Sequence, residues 1–303
     1  MLSAKVCVYG APPSELAATP AGARQVSPLI PGGSALESLE PGSLDAVVMA
    51  APPGTLERRY ALALALLMLR PGAPLTAAAP KDRGGARLGA ELRAFGCEVE
   101  ETGRRHSRVC HVQRPSTLPG VEEALEQGGP RFHPALGLWT QPGVFSWDRP
   151  DPGTSLLLES LPPLAGSGAD LGCGTGAIAQ AVLAAPAVTR LDLVDFDRRA
   201  VDAARRNLPD PRAVFHWADA LSALAPATLD FVVMNPPFHQ GGGENRELGQ
   251  DFIRSAHRLL RSGGTVRLVA NRHLPYEAVL ASLFSRTDVK AERQGFKVLE
   301  AVK

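Results

Sequence analysis

Three short stretches hold residues whose types and spacing could do chemistry. The first is ADLGCGTGAIA, residues 169–179, where Gly172, Gly174 and Gly176 surround Cys173. Glycines at such a turn let the backbone bend sharply and a ligand come close to it. The helix expected to follow aims free N–H groups at that ligand, which favours an anionic group. Asp170, just before the turn, places a carboxylate where a positive amino group would suit. The second is a pair of acids that end the next two apolar runs. Asp195 closes LDLVD and would accept from two ribose hydroxyls. Asp219 follows AVFHWA, precedes Ala220, and could accept from an adenine amino group. Singly, each acid is more often a helix cap or a surface residue. Three at successive strand ends surround one crevice, where open α/β sheets bind their ligands.

The third stretch is FVVMNPPFHQGGG, residues 231–243, an apolar run that stops on Asn235-Pro236-Pro237-Phe238. A residue before proline is pushed towards an extended backbone, and Pro236 and Pro237 offer no N–H. The turn therefore presents an amide oxygen and backbone carbonyls with no backbone donor competing for them. Such an acceptor array suits a planar exocyclic NH₂. Asn235 and the Pro236 carbonyl would take its two hydrogens, localise the nitrogen lone pair and orient it towards an electrophile. Phe238 would stack on the ring that carries the amine, and the glycines 241–243 would let the neighbouring loop move. In isolation an NPP turn is simply a way to end a strand. The glycine turn alone also fits a dinucleotide site, G-x-G-x-x-A with Asp195 about 20 residues on; that reading leaves NPPF unexplained.

These groups need a scaffold, and the chain writes one twice. LDAVVMAAPPG (44–54) matches LDFVVMNPPFH (229–239), and LRPGAPLTAAAP (69–80) answers LRSGGTVRLVAN (260–271). FGCEVEETGRRHSRVCHV and LFSRTDVKAERQGFKVLEAV each read as a closing hairpin. Between residues 143 and 303, apolar strands alternate with helical segments, which implies a mostly parallel sheet covered by helices on both faces. One of them, DRRAVDAARRN, is expected to turn Ala200, Val201 and Ala204 inward and four arginines outward. The expected fold is α/β with two tandem Rossmann-like domains, each ending in an antiparallel hairpin. The first domain spans residues 1–118, a Pro- and Gly-rich linker 119–142, and the second 143–303. The first copy is degenerate: Ala50 stands where Asn235 does, Pro53 replaces Phe238, and no glycine-rich turn precedes Leu44.

Composition narrows the classes. With 303 residues, 45% hydrophobic and 21% charged, the chain reads as a soluble globular protein of two domains. No apolar run approaches the ~20 residues of a membrane helix. The amino terminus carries no secretory pattern, so a cytoplasmic location is expected. Four scattered cysteines suit reduced thiols and no metal site. A net charge of +1 excludes a general polyanion binder. Arginines cluster at 104, 105, 108 and 114 and again at 254, 258, 261, 267 and 272. The first cluster is expected to form a phosphate-binding edge on the closing hairpin.

DLGCGTG followed by NPPF resembles the class I methyltransferases that use S-adenosylmethionine (SAM) and act on amino groups of bases or amides. PGVFSWDRPDPGTSLLLESL, NPPFHQGG and VANRHLPYEAVL followed by GFKVLEA narrow the resemblance to the bacterial small-subunit ribosomal RNA guanine-N2 methyltransferases. It implies two methyltransferase-like domains, of which only the second binds SAM. It also implies methylation of a guanine N2 in 16S rRNA within the 30S subunit; the sequence leaves the oligomeric state open, with a monomer expected. The base would be flipped out of its stack to reach the methyl group. By resemblance Asp170, Gly172, Asp195, Asp219 and Asn235 carry cofactor and catalytic roles, the rest of the glycine turn and Ala220 border the cofactor, and Phe145 and Ser146 line the pocket. A 23S rRNA guanine-N2 methyltransferase, a protein glutamine methyltransferase, an NAD-dependent oxidoreductase and a non-catalytic RNA-binding assembly factor are the competing readings.

Overall fold

The computed structural model describes residues 5–237, 239–240, 243–244 and 246–303; Phe238, Gly241 and Gly242 lie outside the described residues. The chain divides into two compact units, Met1–Pro130 with Gln141–Gly143, and Arg131–Thr140 with Val144–Lys303. The stretch expected as a linker is itself structured. Helix Val121–Gly128 lies in the first unit, and strands Arg131–His133 and Leu138–Thr140 pair antiparallel in the second. Its Pro and Gly residues punctuate short elements and do not mark an absence of structure.

Elements of the second unit are numbered here within that unit. The strands of its large sheet are β1 (Gly166–Leu171), β2 (Val188–Asp195), β3 (Ala213–Trp217), β4 (Leu229–Met234), β5 (Leu260–Asn271), β6 (Arg286–Arg293) and β7 (Phe296–Val302). Its helices are α1 (Pro152–Ser160), α2 (Ala177–Leu183), α3 (Arg198–Asn207), α4 (Arg246–Leu259) and α5 (Tyr276–Leu283). The sheet order is β3-β2-β1-β4-β5-β7-β6. The first five strands run parallel, and β7 pairs antiparallel with both β5 and β6. Residues of β1 and β4 are buried on both faces. Ala169, Leu171, Val232 and Met234 pack with Ile253 and Leu259, while Phe231 and Val233 pack with Leu191, Leu193 and Val269. Near-continuous apolar runs are what strands covered by helices on both sides require. The chain leaves β1 for β2 and β3 and returns to β4 on the other side of β1. That reversal opens a crevice beyond the carboxyl ends of β1 and β4.

Helix α3 departs from expectation at one residue. Ala200, Val201 and Ala204 are buried as expected, but so is Arg199, whose guanidinium pairs with the N-cap Asp197 at 2.8 Å.

The first unit repeats this topology in reduced form. Strands Val6–Tyr9, Ala46–Ala50 and Pro74–Pro80 run parallel in that order, and the hairpin Glu100–Arg104/Ser107–Gln113 closes the edge. The register matches the second unit. Val47 faces Leu75 and Met49 faces Ala77, as Val232 faces Val266 and Met234 faces Leu268. Leu44 bridges Leu69 as Leu229 bridges Leu260. Side-chain chemistry repeats too. Asp45 accepts from the Lys5 N–H and from Arg70; Asp230 accepts from the Ser167 N–H and from Arg261.

The basic clusters of the sequence are largely neutralised within the fold. Arg105 pairs with Glu15, Arg108 with Glu101, Arg254 with Asp251, Arg261 with Asp230, Arg267 with Glu300 and Arg272 with Glu292. Arg104 donates to the Glu15 carbonyl, and Arg114 to the Leu66 and Pro115 carbonyls. The phosphate-binding edge expected at 104–114 is thus mostly an internally paired surface. Among the described residues no helix is long and apolar enough to cross a membrane, and no group of three His, Cys, Asp or Glu could hold a metal ion.

Candidate active site

The crevice collects most of the residues that the sequence singled out. Gly172, Gly174 and Gly176 all take positive φ, at 75°, 52° and 85°. A side chain at Gly174 would meet nothing within 4 Å, so that position needs glycine for its backbone turn or for an approaching ligand. The turn is held from β2: the N–H groups of Gly172 and Cys173 donate to the Val194 carbonyl at 2.8 and 3.1 Å. On its other side a Cβ on Gly172 would lie 4.0 Å from Pro237, so the glycine turn and the Asn-Pro-Pro turn adjoin. The Cys173 thiol is buried, and burial, reinforced by the nearby Asp195 and Asp170, pushes it well above its usual range. A buried thiol kept protonated is a poor nucleophile.

Asp170 ends β1 fully buried, and neither carboxyl oxygen accepts a hydrogen bond among the described residues. Burial, helped by Asp195 and opposed by the Ala179 N–H, which falls short of a hydrogen bond, raises its pKa to about 8. A carboxyl group deprived of partners in a folded core is costly unless a ligand completes it. Asp195 ends β2 with one oxygen accepting from Gly174 N–H and the other from Asp197 N–H, both at 2.9 Å. Burial raises it to about 6, and those backbone donors limit the rise. A carboxylate has roughly four lone-pair sites, so each oxygen keeps capacity for a further donor. Asp219 is exposed and accepts from Leu221 N–H at 2.9 Å, while Ala220 is buried with its carbonyl bonded to Ser255. Phe145 is 56% exposed and Ser146 takes φ 53°; neither supplies the hydrogen bonds that converge on Asn235.

Those bonds come from residues that sequence reasoning missed. The Asn235 Nδ2 donates to Asp151 Oδ2 and to Thr154 Oγ1, both at 2.9 Å. A carboxylate can only accept, so the nitrogen must be the amide atom that faces Asp151. Both amide hydrogens are used, and Oδ1 accepts no hydrogen bond among the described residues. Asp151 is also the N-cap of α1, accepting from Thr154 N–H at 2.7 Å, with Pro152 next to it. Asp-Pro-x-Thr is legible in sequence as a helix start; its second role is not, because Asn235 lies 84 residues away. A further missed residue is Phe196, 49% exposed between Asp195 and Asp197, with its carbonyl held by Trp217 Nε1.

A family model described as the methyltransferase small domain matches residues 135–300, more than half of the chain. The ribosomal RNA small subunit methyltransferase C of Pseudomonas entomophila is 32% identical over 74% of this chain and 69% of that protein. That of Shewanella amazonensis is 31% identical over 84% and 76%. The chain belongs to this family. Against the Shewanella loihica member, 38% identical, the chain spans about half of the relative, 46% of its length. Among solved structures, the T. thermophilus 16S rRNA N2 methyltransferase RsmC in complex with AdoMet and guanosine superposes with a TM-score of 0.74 at 27% identity, over 89% of this chain and 76% of that one. The resemblance read from DLGCGTG and NPPF is borne out at the level of family and fold.

Proposed function

We propose that the protein transfers a methyl group from SAM to the exocyclic N2 of a guanine in 16S rRNA. One observation carries the reading: Asn235 has its NH₂ tied down and its oxygen left over, so the turn receives a donor such as an aromatic amine. The cofactor fits the residues present. The unpartnered Asp170 carboxyl suits the ammonium of an amino acid, and Asp195 keeps lone pairs for ribose hydroxyls. Phe196 stands beside Asp195 and Asp219 one strand further along the crevice, suited to the adenine. A dinucleotide fits less well, since its pyrophosphate would meet the buried Asp170. When bound, SAM supplies an electrophilic methyl group.

The rest of the chemistry belongs to the chain. Asn235 Oδ1 accepts one N2 hydrogen and the Pro236 carbonyl the other, and Pro236 and Pro237 keep backbone donors out of that cradle. Asp151 and Thr154 fix which amide atom faces the substrate. An amide oxygen is a poor base, so these groups act by orientation and electrostatics. Phe238 is assigned the base-stacking role and Phe145 with Ser146 the pocket border; Gly172, Cys173, Gly174, Gly176 and Ala220 shape the cofactor cleft.

The first unit, assigned about residues 1–118, is read as a scaffold without a cofactor. By the shared register Val8 stands at the position of Asp170 and Ala50 at that of Asn235. The Gln25 side chain accepts from the N–H of Gly10, Val26 and Ser27 and donates to the Gly10 carbonyl, filling the turn from within. Arg58, fully buried and paired with Glu91, takes the Pro52 and Pro53 carbonyls. In the first copy the carbonyls at the positions of Pro237 and Phe238 are thus already bonded, and Ala50 offers no side-chain amide.

We assign the substrate to the 30S subunit, the location to the cytoplasm where ribosomes assemble, and the active form to a monomer. Tritium transfer from methyl-labelled SAM to purified 30S subunits, 50S subunits and release factors tests this. N2-methylguanosine from 30S RNA is expected. Label in 50S RNA or on a glutamine amide overturns the substrate, and no transfer despite SAM binding overturns the catalysis.

A further inference from the structure

The short hairpin Arg131–His133/Leu138–Thr140 has no counterpart among the described residues of the first unit, and it displays what a packed protein normally hides. Phe132 is 50% exposed and Trp139 36% exposed, with ring centroids 6.3 Å apart at 68°. Single exposed apolar residues are ordinary, but here two aromatics adjoin a cation of α3, Arg206, whose chain neighbour is Arg205. The Arg206 guanidinium lies 5.0 Å from the Trp139 ring, and Arg205 lies 5.7 Å from the Phe215 ring. Both arginines are exposed, and neither has a carboxylate partner among the described residues. That sets them apart from most arginines of the clusters conspicuous in the sequence, which pair with carboxylates. The hairpin is also fixed in place. Asn207 accepts from Trp139 N–H at 2.7 Å and donates to its carbonyl at 3.0 Å. The same amide donates at 2.9 Å to the carbonyl of Thr175, in the glycine turn. One residue therefore anchors both the hairpin and the cofactor turn.

Exposed rings that offer π-faces, beside unneutralised guanidinium groups, are the two parts of a single-stranded nucleic-acid platform. The geometry points to a second RNA-binding site, outside the catalytic crevice. An unpaired base stacks on Phe132, backed edge-on by Trp139, and adjacent phosphates lie against Arg206 and Arg205. This rests on the proposed RNA substrate and extends it: the enzyme grips a single-stranded segment other than the target nucleotide. A charge-paired or negative surface would favour a protein partner; these cations favour a phosphate backbone.

The test is fluorescence anisotropy with an unstructured single-stranded RNA of roughly 12 nucleotides, within the site sizes such surfaces take. Phe132→Ala is expected to weaken binding by about tenfold, in the range of one lost stacking contact, with Phe132→Tyr within about twofold of wild type. Arg206→Gln is expected to reduce the slope of log Kd against log salt by about 0.7, the value for one single-strand phosphate contact. SAM affinity should be unchanged in all three variants. Wild-type RNA affinity in Phe132→Ala, an unaltered salt slope in Arg206→Gln, or no binding of the oligomer by the wild type each overturns the platform. Failure of the wild type to bind SAM would instead sink the methyltransferase reading, and the RNA titration would still report on the platform.

Discussion

Asp170 links the electrostatics of the crevice to ligand binding, and the linkage can be measured. Its carboxyl is raised to about 8 by burial, so at pH 7 roughly nine in ten ligand-free molecules hold it neutral. An ammonium bound against it requires the carboxylate, so binding must expel the proton. The amino group of the ligand itself titrates near 7.7–8.0 and takes back a small fraction. Net release at pH 7 is therefore roughly 0.7–0.9 proton per SAM. Affinity should rise about eightfold from pH 6 to 7 and only about threefold from pH 7 to 8, as Asp170 reaches its own pKa and the ligand amine loses its proton; the rise is steeper below about 6, where Asp195 is also protonated. Isothermal titration at pH 7 in buffers of different ionisation enthalpy gives the proton count directly. Asp170→Asn should reduce it to near zero and weaken binding by about 1.5–3 kcal/mol. Binding at pH 7 without proton release, with an affinity flat between pH 6 and 8, would refute the assignment. The same shifts govern stability without ligand. Folded pKa values above the unfolded ones mean that these two groups contribute stability fully present below about pH 4. That contribution is lost as pH rises through about 6 for Asp195 and about 8 for Asp170.

Further outcomes follow from the hydrogen bonds. Asn235→Ala should lose at least about 100-fold in kcat, in the range of a removed oxyanion-type contact, while SAM affinity by calorimetry stays within about twofold. Thr154→Val should let the Asn235 amide reorient and lower kcat about tenfold without raising the SAM Kd, whereas Thr154→Ser should restore most of it; a loss expressed in SAM affinity alone contradicts the orienting role. Asp151→Ala should show the same kinetic loss and in addition cost about 1 kcal/mol of stability by removing a helix cap, read by urea denaturation. In the first unit, Arg58→Met should destabilise by about 3–5 kcal/mol, since Glu91 is left buried without its partner; SAM affinity of the folded fraction should not move.

The parts of the fold set by local pattern were legible beforehand. Apolar runs such as LDFVVM could only be strands buried on both faces, and the glycine turn between a strand and a helix could only sit where the sheet opens. The duplication was visible too, because a shared register preserves the same apolar positions in both copies. What the sequence could not reveal was pairing across distance. Arg104–Arg114 read as a basic edge until Glu15 and Glu101 were found beside it. Asp151 read as a cap until its second partner, Asn235, appeared on another element. Burial likewise decided Arg199 and Arg58, arginines that sequence alone would place in solvent. Proline and glycine density suggested a bare connection where a helix and a hairpin stand.

The most direct test of the central claim is the mass spectrum of nucleosides from 16S rRNA of cells lacking this gene. The account predicts the loss of one N2-methylguanosine, restored by the wild-type gene and not by Asn235→Ala. An unchanged 16S rRNA, with the missing methyl group found instead in 23S rRNA or on a protein amide, would contradict it.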